Sequence, residues 1–373
     1  MAQRGREIGL AVIGCGPIGR VRAEFARDYP GVGWLGVCDI KEELAQALAR
    51  DTGADFWTTD ADELLARPEV NAAVIATNES AHVGPVLKAV EHGHSLFIEK
   101  PLAIDARESA QVMEAIEASG VDAVMGYTQR FRRRFLVTKQ KLISGEIGHV
   151  SAVTARAMLN RQIAEMCLAR TNRHDTTTPV VISGTHILDM CLWLLEGKTP
   201  VSVYAQSTDR IFGPAGSKDS TFAIVGFDDG TMLSLTHSWA APTVWPGGVY
   251  GMQVGIMGET GVIDIEDMHR DLVLASERPQ GAGYKKDREG AALERHVDFL
   301  GSIPFGETAI GQFWGPVREE TVSWFQRLYM GQATPHTTAR EGHENLLLCL
   351  AIDLAAKRGE KLALPLDLDA YEG

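Results

Sequence analysis

The sequence has no long apolar run, few cysteines and a shortage of positive charge, and each absence removes a class of protein. No stretch reaches the ~18 consecutive apolar residues of a membrane-spanning helix, so a soluble chain with no membrane partner is expected. The five cysteines, Cys15, Cys38, Cys167, Cys191 and Cys349, are odd in number and widely separated, with no Cys-x-x-Cys pair and no Cys/His cluster. That pattern argues against a disulfide framework and a zinc site, leaves no metal expected, and suits a reducing cytoplasm. Basic residues number 36 against 49 acidic ones, a net charge of −13. A field of that sign opposes a phosphate backbone, so no nucleic acid is expected as partner. The one dense basic run, RFRRRF from Arg130 to Phe135, reads as a solvated helix face or a local anion contact. Internal repeats and low-complexity segments are missing too. The opening MAQRGREIGLAVIGCG has the outline of a lipoprotein signal, but its apolar run of about seven residues lies at the bottom of the range for such a segment.

What is present is a chain of 373 residues, 45% hydrophobic and 23% charged, long enough for two folded domains and too apolar for disorder. From Ile8 to Thr128, short apolar runs alternate with amphipathic segments: IGLAVIG, PIGRVRAEFARDY, VGWLGVCD, KEELAQALARDTG, and onward through HSLFIEK to VDAVMGY. Continuous apolar strands separated by helices mean βαβ crossovers. An α/β Rossmann domain with a doubly wound parallel sheet is therefore expected over residues 1–128. Gly53, Gly93, Gly120 and Gly145 each follow a helical run, where a left-handed C′ residue belongs.

Past Tyr127 the rhythm changes. One more helix, RRRFLVTKQKLISGEIG, leads into β runs such as HVSAVTARAML, VSVYAQSTDR and TFAIVGFDDGTMLSLTHSW. Turn signals such as DDG and GETG join them. Residues 129–373 are thus expected to form an α+β domain with a mainly antiparallel sheet, its last helix stopping near Gly359.

Gly14, Gly16 and Gly19 form G-x-G-x-x-G directly after the first strand, with Pro17 and Ile18 opening the first helix. Three glycines serve a tight turn, close approach of a pyrophosphate, and close packing of helix on strand. The helix N-terminus adds partial positive charge. Asp39 follows Gly19 by twenty residues at the end of the second strand, where a carboxylate accepts from ribose hydroxyls and repels a 2′-phosphate. NAD is the expected cofactor, and Lys41 nearby leaves NADP open.

LFIEKPLA puts Glu99, Lys100 and Pro101 at the end of the fifth strand, on the edge where open α/β sheets bind ligands. A proline there argues for a constrained turn that aims the lysine. In VVISGTHILDMCLWLLEG, Ile187, Leu188, Cys191, Leu192, Leu194 and Leu195 form an apolar stripe, while His186, Asp189 and Trp193 share another face. Ser183 and Gly184 read as N-cap positions. A histidine in the first turn feels the positive end of the helix, which disfavours imidazolium.

These pieces, with ATNESAHVGPVLKAVEHGHSLFIEKPLA, GYTQRFRRRF, GEIGHV and IMGETGVIDIE, resemble the glucose-fructose oxidoreductase and inositol dehydrogenase family (Gfo/Idh/MocA). The resemblance spans almost the whole chain. It implies a Rossmann domain followed by an open-faced second domain, and NAD(P)-dependent redox at a carbon of a sugar, sugar derivative or cyclitol. It also implies assembly as a homodimer or homotetramer through the C-terminal sheet. By the same resemblance Lys100 and His186 are the catalytic pair, and Thr77, Asn78, His82, Glu99 and Lys100 join the glycines and Asp39 around the cofactor. Tyr127, Arg130, Arg156, Asn160, His174 and Asp189 are the candidate substrate contacts, with Arg161 beside them.

One departure stands out: the family commonly has an aspartate four residues before the histidine, and this chain has Ile182. Either Lys100 alone takes the hydroxyl proton, or His174 and Asp175 in TNRHDTTTP substitute. Two other functions remain open, a redox-neutral enzyme that cleaves glycosides and a non-catalytic NAD-binding regulator.

Overall fold

The computed structural model describes residues 7–171, 173, 174, 176–242, 250–267, 272–280, 295–300 and 306–372. It divides into two compact units, residues 1–131 with Pro316–Leu346, and Arg132–Gly315 with Leu347–Gly373.

In the first unit the chain runs β1 (Ile8–Ile13), α1 (Pro17–Asp28), β2 (Val32–Cys38), α2 (Glu42–Thr52), β3 (Phe56–Thr58), α3 (Ala61–Leu65), β4 (Ala72–Ile75), α4 (Val83–Glu91), β5 (Ser95–Ile98), α5 (Ala106–Ser119) and β6 (Ala123–Met125). The strands pair in parallel in the order 3-2-1-4-5-6, the doubly wound order whose direction reverses between β1 and β4. Strands sandwiched between helices must be apolar on both faces, and Leu10, Val12, Ala72–Ile75 and Leu96–Ile98 are fully buried. Asp60 and Asp105 accept hydrogen bonds from the first free amides of α3 and α5, each cap contributing about 1 kcal/mol. The four expected C′ glycines all have positive φ.

The second unit runs α6 (Arg133–Ile143), β7 (Val150–Asn160), α7 (Arg161–Leu168), α8 (Thr185–Leu194), β8 (Pro200–Thr208), β9 (Ser220–Phe227), β10 (Met232–Ala241), β11 (Tyr250–Gly258) and β12 (Val262–Asp267). Its sheet has the order β12-β11-β7-β10-β9-β8, extended at the β8 edge by the short strand Leu362–Ala363. All of its neighbours are antiparallel except β7 and β10. Side chains alternate over the second half of β7: Val153, Ala155, Ala157 and Leu159 are buried, while Thr154 and Arg156 are exposed.

Two later segments complete the first unit. Helix α9 (Pro316–Met330) buries Trp324 and Phe325, Trp324 edge-on to Phe97 and Phe325 against Tyr29. Burial of each ring stabilises the unit by roughly 2–3 kcal/mol. The two-residue strand Thr337–Thr338 then adds to β6 antiparallel. Helix α10 (Ala339–Arg358) follows and stops at Gly359, which has positive φ.

Candidate cofactor and catalytic residues

In the first unit the expected cofactor residues sit at the carboxyl edge of the parallel sheet. Gly14 (φ +100°) ends β1, and an added Cβ there would lie 2.4 Å from Ala76 O. A Cβ on Gly19 would lie 1.8 Å from Gly14 O, so α1 touches the turn backbone. Gly16 caps α1 and faces open space, with nothing within 4 Å of a Cβ. Pro17 is exposed and Ile18 half-buried on the first turn of α1. The Asp39 carboxylate accepts from Cys15 N at 2.8 Å and Lys41 N at 2.9 Å, which holds it beside the glycine turn with further lone pairs for ribose hydroxyls. A tight turn, an open helix N-terminus and a fixed carboxylate together fit a dinucleotide.

Thr77 and Asn78 follow β4, Asn78 exposed. His82 is buried, and its ring nitrogens face Pro101 O at 2.9 Å and Thr77 O at 3.1 Å. Burial pushes its pKa down. The ring fills the space between the turn after β5 and the turn after β4, with one N–H to donate to one of the two carbonyls. Lys100 is half-buried in that turn, and the Lys100–Pro101 peptide is cis. Glu99 accepts from Arg22 Nε at 2.7 Å.

Tyr127 belongs to the hydrophobic core of this unit, 1% exposed. Arg130 is buried and pairs with Glu341 at 3.1 Å. Both are held in the framework at the same sheet edge.

In the second unit His186 is the second residue of α8, but the helix begins earlier than the sequence suggests. Val180–Gly184 is a π-helical turn, and Gly184 has helical torsions, φ −64° and ψ −25°. Ser183 and Gly184 are therefore not N-caps. His186 stands more than a turn inside helical backbone, where the helix end charge has fallen away. The separate polar face is also not kept: α8 is sunk on all sides, with His186 and Asp189 at 3% and 1% exposure and only Leu192 partly open. A π turn pairs residues five apart, so the place of a missing aspartate falls on Ile182 or Val181. Neither has a carboxylate.

The sequence reading missed His237. It continues the inward row Leu233, Leu235, Trp239 of β10 and is fully buried, a polar residue at an apolar position, which was the available signal. Ser183 Oγ donates to Pro179 O at 3.1 Å and lies 2.8 Å from His237 Nε2. With the serine proton spent, Nε2–H is the donor to Ser183. Nδ1 has no hydrogen-bond partner among the described residues. Burial pushes the pKa down to about 3, so the ring is neutral. Gly184 packs on this ring, where a Cβ would come within 3.2 Å.

We predict that Ser183→Ala destabilises the protein more than His237→Leu. The first strands a buried imidazole at a cost of about 1–3 kcal/mol; the second removes polar group and bond together. Urea unfolding of the two variants decides, and the reverse order would refute a stabilising Ser183–His237 hydrogen bond.

The remaining substrate candidates divide. Arg156 is exposed on β7 on the opposite face from Ala157. Ala157 pairs with His237, whose ring meets Gly184. Arg156 therefore points away from the α8 side of the sheet, because successive strand residues alternate. Asn160 caps α7, accepting from Gln162 N, and Arg161 Nε donates to Ala240 O. His174 directs Nδ1 to Ala215 O and Nε2 to Leu168 O and Thr171 O, at 2.7–3.1 Å. Its nitrogens are engaged by backbone, which weighs against it as the substitute base. Asp175 lies outside the described residues. No group of three metal-ligating side chains occurs among the described residues, and none of their helices is long and apolar enough to cross a membrane.

Comparison with known proteins agrees with this geometry. Residues 8–127 match the profile described as "Oxidoreductase family, NAD-binding Rossmann fold", and residues 135–264 match the GFO/IDH/MocA C-terminal domain. The chain belongs to the GFO/IDH/MocA oxidoreductase family. Among its relatives, the scyllo-inositol 2-dehydrogenase (NAD(+)) of Bacillus subtilis is 32% identical over 276 residues, covering 72% of this chain and 77% of that protein. Myo-inositol dehydrogenase Hyg17 of Streptomyces leeuwenhoekii is 28% identical over 371 residues, 95% and 99% of the two chains. The myo-inositol 2-dehydrogenase structure from Lactobacillus plantarum superposes with a TM-score of 0.78 at 17% identity, covering 96% and 99%. As a GFO/IDH/MocA member the chain is an NAD-binding oxidoreductase with a Rossmann domain and a mainly antiparallel second sheet.

Proposed function

We propose that this GFO/IDH/MocA enzyme oxidises a ring hydroxyl of a cyclitol with NAD, Lys100 taking the hydroxyl proton and His186 orienting the hydroxyl. One observation carries the reading: a turn shaped for a dinucleotide and a half-buried lysine lie at the carboxyl edge of the same sheet. The inositol dehydrogenases among the relatives support the substrate class.

The glycine turn and the amides of α1 hold the pyrophosphate, and Asp39 takes the ribose. NAD, when bound, supplies the hydride acceptor. Lys100 accepts the proton at Nζ, with His186 the second catalytic residue of this reading. With Ile182 in place of a carboxylate, the proton leaves by way of Lys100. Self-association through the open sheet face belongs to the same reading, since Phe222, Ile224 and Met232 are exposed there; sedimentation velocity is the check. So does a cytoplasmic site, which suits five free cysteines.

The test is nicotinamide reduction by purified protein with NAD or NADP and a panel of inositols, aldoses, glycosides and sugar acids. Turnover with an inositol and NAD supports the proposal. Glycoside cleavage without net NADH would replace it with a redox-neutral reaction, and tight NAD binding with no turnover would replace it with a regulator.

A further inference from the structure

The EKP turn is braced by a charge arrangement that no sequence motif shows. Arg22, on α1 three residues after Gly19, is 1% exposed. Its Nε donates to Glu99 Oε1 at 2.7 Å, its Nη2 lies 2.5 Å from the same oxygen and 2.9 Å from Glu320 Oε2, and its Nη1 donates to Thr321 Oγ1 at 2.7 Å. The guanidinium also covers the Phe97 ring at 3.8 Å. Glu99 Oε2 packs on Gly126, where a Cβ would come within 2.9 Å. One buried cation thus serves two carboxyl groups, one just past β5 and one from α9.

The two carboxyl groups are not equivalent. Glu99 keeps 14% side-chain exposure and Glu320 none. Glu320 Oε2 accepts from Arg22 and from Thr128 Oγ1 at 3.1 Å, while Oε1 is buried without a partner among the described residues. The other groups at this place add no positive charge to share. His336, whose Nε2 is 3.1 Å from Glu320 O, is neutral because burial pushes its pKa down to about 3. Arg130 is matched by Glu341. Two ionised carboxylates would leave a net negative charge with an unsolvated oxygen, the costly arrangement in a dry interior. Two carboxyl groups on one site cannot both ionise cheaply, and the more buried one keeps the proton.

We propose that Glu320 is a positioning residue that works as a neutral acid, leaving the charge of Arg22 to Glu99 and so fixing the turn that carries Lys100 against the glycine turn of α1. Desolvation, with Glu99 adding repulsion, raises the Glu320 pKa from 4.5 to about 7. Because the folded-state pKa is raised, the folded protein holds a proton that the unfolded chain has released, and stability is lost as pH rises from about 4.5 to about 7.

The test compares wild type with Glu320→Gln, which keeps the shape and cannot ionise. The Tm gap in favour of the variant should widen across that window and level off above it. The infrared difference spectrum at pH near 6 should show a protonated carboxyl band in wild type that the variant lacks. The variant-to-wild-type ratio of kcat/KM for NAD should rise at least threefold from pH near 6 to pH near 9, a shift that loss of packing alone would not produce. Absence of the infrared band, or a flat ratio beside an inactive Lys100→Met control, overturns the positioning role. The role rests on Lys100 acting in the reaction. If Lys100→Met keeps full turnover, that assignment fails first, and the infrared and Tm results separate the two failures.

Discussion

Lys100→Met is expected to lower kcat by ~10² to 10⁴, the range for a lost general acid or base, while NAD affinity stays within a few-fold. Methionine keeps the length and apolar stem of the lysine, and the turn keeps its brace, since His82 still holds Pro101 O and Arg22 still holds Glu99. The loss should therefore appear in turnover and not in cofactor binding. Stopped-flow turnover beside calorimetric NAD titration measures both. A fall below tenfold would show that the hydroxyl proton goes elsewhere, and would return attention to the second unit.

The glycine turn should separate binding from stability. Gly19→Ala forces a methyl group into Gly14 O. It should weaken NAD binding by ~100-fold, equivalent to about 3 kcal/mol, and lower the Tm as well. Gly16→Ala meets nothing in the protein, so it should leave the Tm in place and weaken NAD alone, because its methyl group occupies the space where the pyrophosphate approaches. Titration calorimetry and thermal unfolding of both variants give the answer. Equal Tm losses, or an unchanged Kd for Gly16→Ala, would mean that the open space at the head of α1 is not the phosphate site.

Much of the first unit was legible because its signals are local. A parallel strand buried on both faces must be a short continuous apolar run, as in LAVI or AAVI, and a helix that stops at a glycine shows it in the next residue. The places of Gly14, Gly16, Gly19 and Asp39 were readable for the same reason, all four lying within one βαβ unit. Lys100 needed only the end of β5.

The second unit was less legible. The π turn at Val180–Gly184 has no composition of its own. It moved His186 from a helix end to a helix interior and removed the capping role read for Ser183. Arg156 and Asn160 were candidate ligand contacts as residue types, and only the fold showed that Arg156 lies on the exposed face of β7 and that Asn160 caps α7. His237 reads as one more residue of a strand, and only the fold sets Ser183 against it.

The sequence by itself determined the doubly wound parallel sheet of the first unit, the glycine turn after β1 and the position of the lysine, since each depends on residues near in the chain and on backbone geometry that few residue types satisfy. Only the tertiary structure decided that α9 belongs with that unit and that Glu320, 298 residues from Arg22, meets the same guanidinium as Glu99. A buried ion needs a partner wherever the fold can bring one, and the energy of that pairing depends on burial and distance in space, neither of which is written in the spacing along a chain.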